Sequence, residues 1–416
     1  MKRIVIVGGG VIGLSTARAC ALRGHQVTVV ERHPESRDGC SFGNAGMVCP
    51  SHFVPLAAPG MVALGLKWMT DPKSPFTIRP RLDLDLFAWA FRFWKSANAR
   101  HVERASPILR DLGLASRALL LEMSRDQDAD FGLVQRGLLM LCKSRHTLDE
   151  ESRLAEKARA LGIPADVLDA DQAARLDPDV TMDIAGAVHF PQDCHLVPGR
   201  FMAWLLAAAT RAGAAFLWNT EVAGWRIVGG TIRALRTATG EVEGDEFILC
   251  GGVWSTGIAR DLGLSLPMQA GKGYSLTLPN PRELPRLCSI LTEARVAVTP
   301  MGSTLRFGGT MEIAGLDESI RPIRVQGIME AAGRYFPRFQ PSDFNGIQPW
   351  CGLRPVSPDG LPYLGRSRRH SNLTLATGHA MLGLSLAPIT GHLVAQLMTG
   401  EKPDVEITIL DPARHE

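Results

Sequence analysis

The chain has 416 residues, 45% of them hydrophobic and 21% charged, with a formal net charge of +3. That length suits two or three domains or one large two-lobed fold, and the charge is too small to indicate a nucleic-acid partner. Eight cysteines lie scattered with no C-x-x-C pair, which fits a reducing compartment and argues against zinc or iron–sulfur ligation, so no metal is expected.

The N-terminus reads strand, glycine turn, helix, strand, acid. Ile4 to Val7 are apolar and β-branched, as in a strand buried on both faces. Gly8, Gly10 and Gly13 form G-x-G-x-x-G at its end. This spacing gives a tight turn, a backbone that a pyrophosphate can approach, and close helix–strand packing. Val11 and Ile12 open the helix, whose positive end faces the phosphates. Glu31 follows Gly13 by eighteen residues, the reach needed for a ribose diol. Lys2, Arg3 and the Ala19-Cys20-Ala21 run imitate a signal peptide. The interrupting glycines and the completed nucleotide motif argue that the segment is retained and the protein cytoplasmic.

Arg32 opens a polar loop. Cys40 to Val48 then carries small residues and two glycines, suited to backbone pressed against a flat ligand or a pyrophosphate. Residues 50–104 are broken by prolines and dense in aromatics; Phe87, Phe91 and Trp94 share one helix face, while Trp89 and Phe93 fall elsewhere. Between 61 and 104 there are eight Lys/Arg and four Asp/Glu. Trp68, Trp89 and Trp94 beside Lys67, Arg79, Arg81, Arg92, Lys95 and Arg100 suggest peripheral contact with a membrane. The two-faced aromatic spread favours simple packing.

Residues 106–126 and 147–161 read as amphipathic helices, and Gly137 to Cys142 as a buried strand. His189 and His195 lack a metal-ligand spacing. A strand from Gly186 precedes a helix beginning near Pro198, and a hairpin turns at Gly229-Gly230. Phe247 to Ser255 repeats the strand–glycine–helix pattern, with Cys250, Gly251 and Trp254 at the turn. Gly271 to Leu278 begins a strand-rich stretch. Trp350 to Gly365 is rich in Pro and Gly around a single Arg354, and Leu373 to Gly383 makes a third strand–glycine–helix turn into a helix over 384–399. No run of 18 or more apolar residues suggests a membrane span.

Three such turns imply a discontinuous nucleotide domain (1–50, 191–265 and 350–416) with a substrate domain inserted as 51–190 and 266–349. The expected class is α/β: a Rossmann-type domain, and an α+β second lobe on a mixed β-sheet. The later turns make sense if a tricyclic ring is held as well. A helix starting near Leu384 would aim N–H groups at the ring's pyrimidine edge.

The runs Val7 to Gly13, Ser41 to Gly46, Cys250 to Ser255, Gly352 to Gly360 and Thr377 to Gly383 together resemble the FAD-dependent D-amino-acid oxidase superfamily, and within it the bacterial D-amino-acid dehydrogenases. The resemblance spans the whole chain and implies noncovalent FAD. It implies cofactor contacts at Gly8, Gly10, Val11, Ile12, Glu31 and Arg32; at Ser41, Asn44, Ala45, Gly46, Met47 and Val48; at Val222, Cys250, Gly251 and Trp254; and at His379, Met381, Leu382, Gly383, Leu384 and Ser385. It implies that Arg354 grips a substrate carboxylate. Residues 43–53 also resemble D-hydroxyproline dehydrogenases. Arg354, Tyr274 and His52 are the candidate catalytic residues. A guanidinium suits a carboxylate better than an ammonium does, and Tyr274 is a second donor or a packing residue. The resemblance implies that hydride leaves an amine that is already neutral, so neither His52 nor His379 is assigned as an essential base. The expected reaction is hydride transfer from a D-amino or cyclic imino acid, with electrons passed to a quinone or other carrier. An oxygen-using oxidase, or a relay subunit within a larger complex of partner subunits, are the competing readings.

Overall fold

The computed structural model describes residues 1–126 and 128–416. Its nucleotide lobe grows from β1 (Arg3–Val7), α1 (Val11–Leu22) and β2 (Gln26–Val30). β1 and β2 pair in parallel, and β1 pairs in parallel with Glu246–Leu249 on its other side. The full sheet has six strands, running from Tyr363–Arg366 and Leu373–Thr377 at one edge to Ala215–Leu217 at the other. Strand and helix meet at Gly8 and Gly13. Gly8 holds φ +106°, open to glycine and costly for other residues, and a Cβ on Gly13 would overlap the Gly8 carbonyl oxygen.

The second lobe is a nine-stranded mixed sheet containing Leu138–Cys142, Gly186–Phe190, Gln269–Leu278, Val296–Met301, Thr304–Ile313 and Trp350–Val356. The expected boundary at 350 is therefore displaced, because Trp350–Val356 pairs antiparallel with Gln269–Leu278. Three helices follow in the proline-broken region: α2 (Met61–Trp68), α3 (Leu84–Ser96) and α4 (Ala99–Met123). Asp83 caps α3 by accepting from the Asp85 and Leu86 backbone N–H groups. α4 also departs from the expected division. Its Ala105, Leu109, Leu112 and Leu120 share one core with Ile4 and Leu14 of the nucleotide lobe, and it packs on the helix Gly383–Thr399, which also packs on α1.

Ala380–Thr399 is the one segment among the described residues with the length and hydropathy of a bilayer crossing, but 72% of its apolar window is buried in this core.

Candidate active site

At the nucleotide end, the Gly9 N–H donates to Glu31 Oε2 at 2.7 Å and the His33 N–H to Glu31 Oε1 at 2.9 Å. Each oxygen keeps a lone pair for a ribose hydroxyl. The N-terminus of α1 carries no acidic residue in its first turn, and Ser41 Oγ accepts from the Val11 N–H at 3.1 Å. The turn is thus a positive, glycine-lined cradle fitted to a pyrophosphate. The Cys250 N–H bonds the Val7 carbonyl oxygen at 2.8 Å, bringing the second glycine turn alongside the first. Arg32 stacks on Trp254, 3.9 Å from guanidinium carbon to ring centroid. Val222 opens the strand Val222–Val228 of a separate three-stranded sheet.

The other end is a cavity of about 520 Å³. Asn44, Ala45, Met47, His52, Met381, Leu382, Ser385 and Arg354 all line it. The loop that bears Asn44 is pinned by Arg306, whose Nη1 donates to the Phe42 and Asn44 carbonyl oxygens at 2.9 and 2.7 Å. Asn44 Oδ1 accepts from the Gly46 N–H at 2.8 Å. Ser385 Oγ accepts from the Cys49 N–H at 3.1 Å, tying this wall to the helix Gly383–Thr399. That helix also starts without an acid or a side-chain cap, so the N–H groups at its first turn, over Gly383 to Ser385, fit an electron-rich ring edge. These two open helix ends and the glycine cradle fit FAD. His379 contributes no side chain to this surface: its Nε2 is hydrogen-bonded to Thr390 Oγ1 at 3.0 Å, and burial pushes its pKa down to about 3.

Arg354 lies on the strand Trp350–Val356 and donates from Nη1 to the Thr310 carbonyl oxygen at 2.9 Å. Its guanidinium rests over Gly273, where any Cβ would collide with it. No carboxylate lies within ion-pair distance of it among the described residues. Burial pushes its pKa down, yet a guanidinium stays charged. An unpaired, largely desolvated cation facing a cavity calls for an anionic ligand.

Tyr274 also borders this cavity, but its hydroxyl does not reach toward Arg354. Gly271 pairs with Arg354 and Tyr274 with Cys351, so strand alternation sends the two side chains to opposite faces. The Tyr274 hydroxyl donates instead to Glu312 Oε2 at 2.8 Å, and Glu312 also pairs with the buried Lys272 and with the exposed Arg321. Of the two expected roles for Tyr274, this geometry fits the packing residue and not the carboxylate donor.

The inner faces of α2 and α3 roof the cavity with Val62, Trp68, Trp89 and Phe93. Trp89 Nε1 donates to the Val356 carbonyl oxygen at 2.9 Å, and Trp89 stacks on Phe93 at 5.2 Å. The outer faces leave Leu84, Phe87 and Phe91 exposed by 57–86%, while Leu66 and Trp94, 63% and 62% exposed, sit at the cavity rim. The packing reading therefore holds for the inner face, and the outer face stays exposed. Two expected basic residues are engaged elsewhere: Arg79 pairs with Asp317 and Arg81 with Asp83.

Sequence reasoning missed Arg306, Thr310 and Asp193. A lone Arg in a strand and an Asp in a turn carry no local signal. Their roles come from contacts made across the fold.

A glycine cradle at one helix end, and a second helix end beside a cavity that holds a buried cation, define a two-lobed dinucleotide-dependent oxidoreductase. The chain belongs to the FAD dependent oxidoreductase family, whose sequence profile matches residues 3–397. It is 32% identical over 422 residues to a D-amino acid dehydrogenase of Agrobacterium fabrum, covering 99% of each chain. It is 32% identical over 425 residues to a D-amino acid dehydrogenase of Bradyrhizobium diazoefficiens, again covering 99% of each. Among solved structures it is similar to glycine oxidase from Geobacillus kaustophilus, with TM-score 0.78, 25% identity and 100% of both chains covered. The L-proline dehydrogenase of P. horikoshii shares the fold at TM-score 0.75 and 19% identity, with 99% of this chain and 97% of that one covered.

Proposed function

We propose that this chain is an FAD-dependent dehydrogenase that oxidises a D-amino acid or cyclic imino acid at Cα. The observation that carries this reading is Arg354, an unpaired guanidinium facing the cavity. The full-length similarity to curated D-amino acid dehydrogenases supports the substrate class. The resemblance of residues 43–53 to D-hydroxyproline dehydrogenases makes cis-4-hydroxy-D-proline and D-proline the substrates to test first.

When bound, FAD supplies the two-electron oxidising chemistry. The chain's own residues bind and orient. Gly8, Gly10, Glu31 and Ser41 would hold the dinucleotide, and the helix start at Gly383 would hold the ring edge. Arg354 grips the substrate carboxylate through two parallel N–H donors, fixing the direction of the Cα–H bond. The aromatic roof of Trp68, Trp89 and Phe93 excludes water from the cavity.

A quinone or another carrier takes the electrons onward. The exposed apolar faces of α2 and α3 support a quinone in a membrane, because the same helices line the cavity from inside. The test is an anaerobic screen of D-amino and imino acids that follows bleaching of the flavin, with D-alanine and sarcosine beside the two prolines. Bleaching by none of them would exclude the assignment. Fast re-oxidation by air would make the enzyme an oxidase.

A further inference from the structure

The antiparallel pairing of Met47 with His195 and Val48 with Cys194 carries Asp193 to the loop after Val48. Asp193 is fully buried. Its Oδ1 accepts from the Ser51 N–H at 3.2 Å, and its Oδ2 accepts from the Ser51 hydroxyl. Ser51 Oγ lies 3.2 Å from His52 Nδ1. The His52 ring lines the same cavity as Arg354. One continuous chain of polar atoms therefore runs from the cavity wall to a carboxylate in the core.

The donors in this chain can be assigned by counting protons. Ser51 has one hydroxyl proton, and it is donated to Asp193. The contact with His52 must then be donated by Nδ1–H. His52 is left with a bare lone pair on Nε2, which makes no hydrogen bond within the chain among the described residues. A free amino acid near neutral pH carries an ammonium group, whereas hydride departure from Cα needs the nitrogen lone pair. One proton must leave first.

We propose that Ser51 and Asp193 form a proton relay behind His52, which removes that proton from the substrate ammonium. This rests on the amine-oxidation reading above. The substrate N–H bond breaks and an Nε2–H bond forms. The Nδ1 proton passes to Ser51 Oγ, and the Ser51 proton passes to Asp193. The carboxylate ends as a carboxylic acid, His52 and Ser51 end neutral, and no electrons move between residues. The hydrogen bonds reverse direction: Asp193 then donates to Ser51, and Ser51 to Nδ1.

The surroundings favour this over a charged His52. Burial and the Arg295 guanidinium push the His52 pKa down to about 4, so imidazolium is a poor resting place for the proton. Burial pushes Asp193 up to about 7, against hydrogen bonds from Ser51 and Cys49 and the charge of Arg117 on α4. The other titratable groups facing Asp193 are the thiols of Cys49, Cys194 and Cys288, all held neutral by burial. Within this relay Asp193 is thus the group able to take up a proton near neutral pH and release it later.

The test compares the FAD-loaded wild type with Asp193→Asn, Ser51→Ala and Ser51→Thr. Anaerobic flavin bleaching by the best substrate is followed across pH. We expect Asp193→Asn and Ser51→Ala to bleach on the order of a hundredfold more slowly near neutral pH. The deficit should close as rising pH deprotonates the substrate in solution, and Ser51→Thr should recover the rate. Infrared difference spectra on reduction should show a protonated-carboxyl band in the wild type that Asp193→Asn lacks. Slowing that is uniform at every pH, rates equal to the wild type, or no such band in the wild type would each overturn the relay while amine oxidation stands. If no amino or imino acid bleaches the wild type, the functional reading falls and the relay falls with it.

Discussion

Arg354 donates from Nη1 to the carbonyl oxygen of Thr310 at 2.9 Å, and Thr310 holds a left-handed φ of 61°. A β-branched residue in that region is strained. The strain turns the Thr310 carbonyl toward the guanidinium and interrupts the ladder between Lys272 and Tyr274. Arg354 is thus held by one backbone acceptor, leaving its other N–H groups free for a ligand.

The first prediction follows from that geometry. Arg354→Lys keeps the charge and loses the fork, which should weaken substrate binding by about 1.5–3 kcal/mol. Arg354→Ala should weaken it further, with FAD content unchanged. Anaerobic titration of flavin reduction against substrate concentration reads both effects. Unchanged half-saturation in the two variants would remove Arg354 as the carboxylate clamp.

A second prediction concerns the glycine turn. Gly13→Ala would push its methyl into the Gly8 carbonyl oxygen, displacing the helix end from the pyrophosphate cradle. The variant should purify with little or no flavin, and its melting temperature should no longer respond to added FAD. The wild type should gain stability with free FAD by mass action, about 2.7 kcal/mol at a hundredfold excess over Kd. A Gly13→Ala protein with full yellow colour would mean that the turn is not the phosphate site.

The third prediction concerns acid. Asp359 belongs to the Gly352 to Gly360 motif, yet it fastens the C-terminal tail: it accepts from Arg414 Nε at 2.7 Å and lies 3.3 Å from His415 Nε2. Burial alone would raise its carboxyl pKa. The Arg414 guanidinium, its hydrogen bonds and the nearby His415 ring outweigh that and hold it well below the ordinary 3.8. A depressed carboxyl stabilises fully above its unfolded value and loses that contribution as pH falls through the folded one. Asp359→Asn should therefore cost about 3–5 kcal/mol at neutral pH, the range for a broken buried pair. The gap to the wild type should shrink in acid below about 3.8. Melting curves across pH measure it, and a gap that widens in acid would contradict the assignment.

How much of this was legible beforehand follows from distance along the chain. Gly8, Gly13 and Glu31 act within one β–α–β unit, so their spacing alone revealed the cradle. Arg354 stood out because a lone charge among Gly, Pro and apolar residues has few other uses. The role of Tyr274 was not legible, for a definite reason. Its strand is buried on both faces almost throughout, so no polar alternation shows which side a given residue takes. The face is set by the register with Trp350–Val356, which lies far along the chain. Asp193 meets Ser51 across 142 residues, through a two-residue strand pairing that no local pattern announces. The domain boundary near 350 failed similarly, because a Pro- and Gly-rich run reads as a loop although it forms a strand of the large sheet.

The last prediction concerns the membrane. α2 and α3 leave Leu66, Phe87, Phe91 and Trp94 exposed by 57–63%, and a contiguous apolar face of this kind marks an interaction site. Trp89 and Phe93 on the opposite side of α3 line the cavity, so a membrane-dissolved acceptor would meet the helices that roof the site. The basic residues able to assist are few. Arg79 and Arg81 are paired, and Arg92 reaches the His415 carbonyl oxygen at 3.4 Å. Lys67, Lys95 and Arg100 remain exposed, each worth about 1 kcal/mol near an anionic surface. Attachment should then rest on the aromatics more than on charge. In liposome flotation we expect the wild type to rise with anionic vesicles at low salt and partly with neutral ones. Phe87→Ser with Phe91→Ser should abolish flotation on both, while Lys67→Glu with Lys95→Glu should weaken the anionic preference. Bleaching by substrate should be untouched in both double variants, since none of the four side chains lines the cavity that holds Arg354. Wild-type protein that stays at the bottom of every gradient would leave α2 and α3 as a roof alone and point to a protein as the electron acceptor.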